Sequence, residues 1–180
     1  MKNKNAGFSL IELIVVIAVM VIVVGIGATW IGNISGYRAR ECAGKVASSL
    51  TGAKVKSLSK QQNTGDAYWE LKKDSSDGKY YVTVYYPEYS GGGFTLIEET
   101  SKVGKTSNLK VTYTDVDGSH EVDSANPLKL CYDRSTGALY EGSSGSVDKT
   151  KNISAINVSN GARSYKIEIV AKTGKVIGRY

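Results

Sequence analysis

Across residues 8–31 the only polar side chains are Ser9, Glu12 and Thr29, and residues 13–28 form an unbroken apolar or glycine run. As a helix this stretch would extend roughly 36 Å at about 1.5 Å per residue, more than the roughly 30 Å of a bilayer's hydrocarbon core. Further along, apolar and small residues recur every three or four positions, through Ala39, Cys42, Ala43, Val46, Leu50, Ala53 and Ser57 or Leu58. Arg38, Arg40, Lys45, Lys54 and Lys56 are mostly displaced from that stripe. The spacing predicts one helix from near Phe8 to near Ser59, apolar on all sides at first and amphipathic afterwards. After Gln61 the period shortens to two. Alternating runs at 67–71, 79–86, 94–98, 109–114, 128–132, 139–141, 153–158, 165–171 and 176–180 read as strands. Turn residues separate them, among them Asp74-Ser75-Ser76-Asp77-Gly78 and Asn160-Gly161.

The predicted fold class is therefore α+β, a long N-terminal helix whose second half packs on an antiparallel β domain. Residues 1–7 form a short leader, 8–31 a membrane-spanning helix, 32–59 its amphipathic continuation, and 60–180 an extracytoplasmic β domain. Lys2 and Lys4 precede the apolar run and no acidic residue stands before Glu12. The positive-inside rule then keeps the N-terminus cytoplasmic and sends everything after Ile31 outward. The length of 180 residues allows one globular domain and a short appendage. One His and two Cys fall short of the four ligands of a structural zinc site, and no cofactor is implied. Twenty Gly and twelve Tyr against two Pro fit tight turns between aromatic-rich strands.

Three fates are open to the apolar segment: a cleaved signal, a plain anchor, or a segment that is processed and kept. It is too long for the apolar region of a cleaved signal, about 7 to 15 residues. A plain anchor has no use for Glu12, since a charge deep in the bilayer costs about 2.5 to 3.5 kcal/mol even on insertion scales. A carboxylate near the helix start could also reach the interface and be favoured by the helix N-terminus.

Ala6-Gly7-Phe8-Ser9-Leu10-Ile11-Glu12-Leu13, set between a lysine-bearing leader and a long apolar helix, closely resembles the type IV prepilin signature. Type IV pilins and type II secretion pseudopilins share it. The resemblance implies that a prepilin peptidase cuts between Gly7 and Phe8 and methylates the new amine of Phe8. Gly7, with no side chain, lets the peptidase approach the backbone closely. It also implies assembly with other pilin or pseudopilin subunits, in which Glu12 of one copy meets the Phe8 amine of the next. An unpaired carboxylate is costly in a low-dielectric bundle, so such pairing would set register and favour assembly. Many major pilins carry a proline that weakens this helix where this chain has Thr29. Gly25, Gly27 and Gly32 serve either as loosening points or as close-packing positions. A second resemblance covers the C-terminal part. Tyr132-Asp133 followed by Gly137, then residues 166–170 and Thr173-Gly174-Lys175-Val176, look like the end of GspH/FimT-type minor pseudopilins.

Other features carry less. Cys42 on the helix stripe and Cys131 on a strand both lie beyond the membrane segment, where a disulfide closing a loop of about 90 residues can form. Alternation through Leu128, Leu130 and Tyr132 argues against it by turning Cys131 to the opposite face. Asp115-Val116-Asp117-Gly118 is too incomplete for a calcium loop and reads as a polar turn, and His120 beside it has no nucleophile nearby in sequence. Net charge is +6, but the lysines are scattered without a dense stripe, so nucleic acid is not the expected partner. The tyrosines at 80, 81, 85 and 86 alternate as the core and surface of one strand. The function expected from these residues is that of a minor structural subunit of a type IV pilus or type II secretion pseudopilus, and not an enzyme. The alternative is a tip subunit that captures DNA or a surface ligand.

Overall fold

The three-to-four-residue spacing does form a helix, α1, spanning Leu10–Ser59. The computed structural model describes residues 9–59, 67–90, 92–143, 146–161 and 163–179, and the side chains of residues 26–35, 90 and 179 lie outside that description. Phe8, expected as the helix start, is among the residues not described. The chain forms two compact units, Met1–Ser35 and Gly36–Tyr180. In the first, the described side chains of α1 from Leu10 to Gly25 are all exposed. A helix that is apolar on every side has no face to turn to water, and its surroundings must be apolar as well. Among the described residues no helix is long and apolar enough to cross a membrane. The described side chains of the apolar stretch stop at Gly25, about 16 residues and so about 24 Å from Leu10.

In the second unit α1 lays Ala39, Cys42, Ala43, Val46 and Leu50, all fully buried, on a β domain, with Ala53 and Ser57 almost as deep. The small residues in this stripe let the sheet come close. The strands are β1 (Tyr68–Lys73), β2 (Tyr80–Ser90), β3 (Gly93–Lys102), β4 (Lys110–Thr114), β5 (Ser119–Glu121), β6 (Leu128–Tyr132), β7 (Leu139–Ser143), β8 (Ser146–Asp148), β9 (Ala155–Ser159), β10 (Ser164–Val170) and β11 (Lys175–Arg179). They make two antiparallel sheets, ordered β3-β2-β1-β6-β7-β8 and β11-β10-β9-β4-β5. Period-two alternation sends Trp69, Leu71, Tyr80, Val82, Leu128 and Leu130 of the first sheet into a core shared with Val111, Ile156, Val158 and Ile167 of the second. Tyr80 links the sheets with hydrogen bonds as well as bulk: its hydroxyl donates to the Val122 carbonyl at 3.1 Å and accepts the Val111 N–H at 3.2 Å.

Three polar contacts, two of them buried, fix the helix to the first sheet. The Trp69 indole donates to Ser49 Oγ at 2.9 Å, the Tyr132 hydroxyl to the Leu50 carbonyl at 3.2 Å, and the Ser57 hydroxyl to the Tyr132 carbonyl at 3.4 Å. The disulfide considered between Cys42 and Cys131 is not formed, and both are free, buried thiols. Cys42 faces the core from α1. Cys131 stands on the outer face of β6, opposite Tyr68 on β1 and Tyr140 on β7, because its neighbours Leu130 and Tyr132 take the inner face. Two strands were not anticipated. β5 and β8 have three residues each, too few for an alternating pattern to register.

Candidate functional site

The chain's chemistry begins at the start of α1. Ser9 is the helix N-cap: its carbonyl accepts the first helical N–H, from Leu13, at 3.2 Å, and its Oγ accepts the Ile11 N–H at 3.3 Å. The Glu12 carboxylate reaches back, and its Oε2 accepts the Ser9 N–H at 2.9 Å. This is a capping box, in which two otherwise unpaired donors of the helix start are satisfied reciprocally. Sequence reading passed over Ser9, although serine three positions before glutamate at the head of an apolar run is a signal for this arrangement. Beyond satisfying donors, the box holds a negative charge on the positive end of the helix dipole. In the single chain Glu12 is exposed and serves its own helix. Gly7 and Phe8, the expected cleavage and methylation positions, lie outside the described residues.

At the other end of the chain, the residues singled out on separate segments come together. Asp133 heads the turn between β6 and β7. Its Oδ1 accepts from the Ser135 hydroxyl at 2.6 Å and from the N–H groups of Ser135 and Thr136 at 2.8 and 3.1 Å. Those bonds, the Ser135 hydroxyl foremost, hold its carboxyl below the usual carboxylate range although burial opposes the charge. Gly137 closes the turn at φ 71° and Gly174 closes the β10–β11 turn at φ 57°, both left-handed. The two turns touch. A Cβ at Gly174 would overlap the Gly137 carbonyl oxygen and stand 2.5 Å from the Tyr132 ring. Lys54 of α1 completes the junction, with its Nζ donating to the Thr173 carbonyl at 2.6 Å. The arrangement joins the helix to both sheets and offers no reactive group.

Asp115-Val116-Asp117-Gly118 forms the turn of the β4–β5 hairpin. Asp115 Oδ1 accepts the N–H groups of Asp117 and Gly118 at 2.8 and 3.0 Å and lies 3.1 Å from His120 Nε2. Burial works against the charge of Asp115, yet these partners outweigh it and its carboxyl stays below the usual range. Asp115 Oδ1 is thus taken up by the hairpin, while Asp117 pairs with Lys151 at 3.6 Å. Among the described residues, no group of three or more His, Cys, Asp or Glu side chains could hold a metal ion.

Residues 2–28 match the prokaryotic N-terminal methylation motif, a type IV prepilin-like signature. That span takes in Gly7, Phe8, Ser9 and Glu12 together with most of the apolar run. No curated protein and no solved structure matches this chain.

Proposed function

We propose that the chain is a structural, pilin-like subunit, cut between Gly7 and Phe8 by a prepilin peptidase and methylated on Phe8. The helix over residues 8–31 holds it in the cytoplasmic membrane with the β domain outside. It then polymerises through that helix as a minor subunit of a type IV pilus or type II secretion pseudopilus. One observation carries the reading: the methylation motif at residues 2–28 runs directly into a 50-residue helix whose far half is built into an antiparallel β domain. A cleaved secretory signal would discard the apolar segment, whereas here it belongs to the same helix that supplies the domain core.

Glu12 supports the same reading. A capping carboxylate fixed to its own Ser9 N–H is a resting state in which the charge is partly compensated. On entering an apolar bundle, that hydrogen bond alone leaves a net negative charge, and the Phe8 amine of a neighbouring copy supplies the missing positive one. The test is intact mass of the protein purified from membranes and from sheared filaments. A mature chain beginning at methylated Phe8 and present in both fractions is expected. A chain beginning at Met1, or one lacking residues 8–31, overturns the proposal.

A further inference from the structure

β2 pairs with β1 only over Tyr80–Tyr85, but pairs with β3 over its whole remaining length, to Ser90 opposite Gly93. Among the described residues the end of this ribbon is thus a two-stranded arm past β1, a form that is marginal in water without a covered face. Alternation puts Pro87, Tyr89, Phe94 and Leu96 on one side of it. Tyr89 and Phe94 are each 66% exposed and meet edge to face at 5.4 Å, and Leu96 is 49% exposed. A cluster of large exposed apolar side chains marks a contact surface.

The ribbon also carries carboxylates: Glu88 on the arm, and Glu98 and Glu99 on β3 just inside it, opposite Tyr85 and Val84. Of the charges on β3, Glu99 pairs with Lys56 and Lys102 with Asp77. Glu98 accepts the Tyr85 and Thr100 hydroxyls at 3.5 and 3.4 Å and has no cationic partner among the described residues. Among the described residues β3 is the outermost strand of its sheet, so its outer backbone groups face no described strand. β11 is the outermost strand of the other sheet, and the turn leading into it presents exposed Lys172 and Lys175, neither with an acidic partner among the described residues.

The helix shows where these two edges lie. Lys56 pairs with Glu99 of β3, while Lys54 reaches Thr173 in the β10–β11 turn. Two residues apart on a helix are about 200° around its axis and about 3 Å along it. The β3 edge at Glu99 and the β10–β11 turn at Thr173 thus lie on opposite flanks of the helix at one level.

We propose that the β3 edge and its arm in one copy dock on the Lys172–Lys175 edge of a second copy of this chain. Complementary surfaces on opposite flanks make a heterologous contact, which propagates in one direction instead of closing into a two-fold dimer. This names a lateral contact for the assembly proposed above and rests on that reading only for the setting in which copies meet.

The test uses the full chain in its producing cells, with Thr95→Cys on β3 and Thr173→Cys in the β10–β11 turn, treated with a short bis-maleimide. The native thiols are buried and should not react. Chains carrying both cysteines are expected to give a ladder of multimers. Chains with one cysteine are expected to stay monomeric alone and to give dimers only when the two kinds are mixed. Glu98→Lys, or Lys172→Glu with Lys175→Glu, should each cut the ladder about fivefold, and the reversals combined should restore it. Dimers from a single-cysteine chain alone, or no recovery on combining the reversals, overturn the contact. So does a ladder-free chain whose arm variants still lose filament incorporation, which would give the arm a different subunit as partner. A ladder from a chain absent from filaments would sink the filament reading alone, whereas incorporation without any ladder would sink this contact alone.

Discussion

Glu12 is bonded to its own helix in the single chain and is assigned a second partner in the assembly, and the two roles differ enough in energy to be separated. As a cap, its loss forfeits the 2.9 Å bond to the Ser9 N–H and a charge on the helix dipole. Cap substitutions cost about 0.5–2 kcal/mol and the dipole contributes about 0.3–1 kcal/mol. Ser9→Ala removes the acceptor for Ile11 N–H and falls in the same range. If capping were all, Ser9→Ala would lower incorporation into filaments by about 2- to 30-fold and Glu12→Ala by at most about fivefold more, for the dipole. If Glu12 neutralises a neighbour's amine inside an apolar bundle, its removal leaves that amine unpaired, at about 3–5 kcal/mol. At about 1.4 kcal/mol per factor of ten, that is a loss of roughly 10² to 4 × 10³. Glu12→Gln separates the two further, because the amide oxygen keeps the bond to Ser9 and only the charge is lost. The assay co-expresses a tagged variant with the untagged chain and compares its fraction in sheared filaments with its fraction in membranes. Expected is a severe defect for Glu12→Ala and Glu12→Gln and a mild one for Ser9→Ala. Equal defects for Ser9→Ala and Glu12→Ala, or normal incorporation of Glu12→Gln, would refute the pairing argument.

Further predictions concern the folded domain. Gly161 has φ 87° with nothing near its missing Cβ, whereas Gly174 has φ 57° with backbone and ring in the way. Gly161→Ala should therefore cost only conformational strain, about 1–2 kcal/mol, and Gly174→Ala about 2–5 kcal/mol, read as Tm losses of about 2–6 and 5–15 °C. Equal losses would show that the two turns are not in contact. Leu50→Ala, at a fully buried position, should lower Tm by about 5–15 °C, while Val55→Ala, 61% exposed on the same helix, should change stability by less than about 0.5 kcal/mol. Burial pushes the Cys42 thiol up to about 12 and the Cys131 thiol up to about 11, so neither should be alkylated at pH 8 until denaturant is added, when both should be. Because the unfolded chain loses these protons near pH 9 and the folded one does not, stability should fall as pH rises above about 9. A pH titration of the unfolding midpoint for Cys42→Ala with Cys131→Ala checks this, since that variant should lose part of the alkaline decline.

How far the sequence reached depends on the range of the interaction that fixes each feature. The helix from Leu10 to Ser59 and its buried stripe were legible because their determinants recur every three or four residues. Strand existence was legible for the same reason at period two, and Cys131 follows from that rule: Leu130 and Tyr132 claim the inner face, so the thiol between them cannot meet Cys42. Pairing was not legible. β1 lies between β2 and β6, and β4 crosses to β9, contacts between residues far apart in sequence that no local window contains.

The junction at Gly137 and Gly174 shows the same limit on a smaller scale. Each glycine can be read as a turn residue, but only the fold puts one turn's carbonyl where the other's Cβ would stand. Ser9 is less legible for a different reason: the serine–glutamate spacing of the capping box lies inside the prepilin-like pattern, which gives Glu12 another role. The carboxylates of the ribbon stayed hidden because Glu88, Glu98 and Glu99 are unremarkable one at a time. Only the β2–β3 register sets Glu98 on the face of Tyr89, Phe94 and Leu96, with Glu99 turned to the other face and paired with Lys56. The methylation motif, by contrast, is a local pattern because the processing it directs acts on a local stretch of chain. Prepilin-like processing could therefore be read from about thirty residues, while the contact proposed for the β domain rests on the arrangement of all the rest.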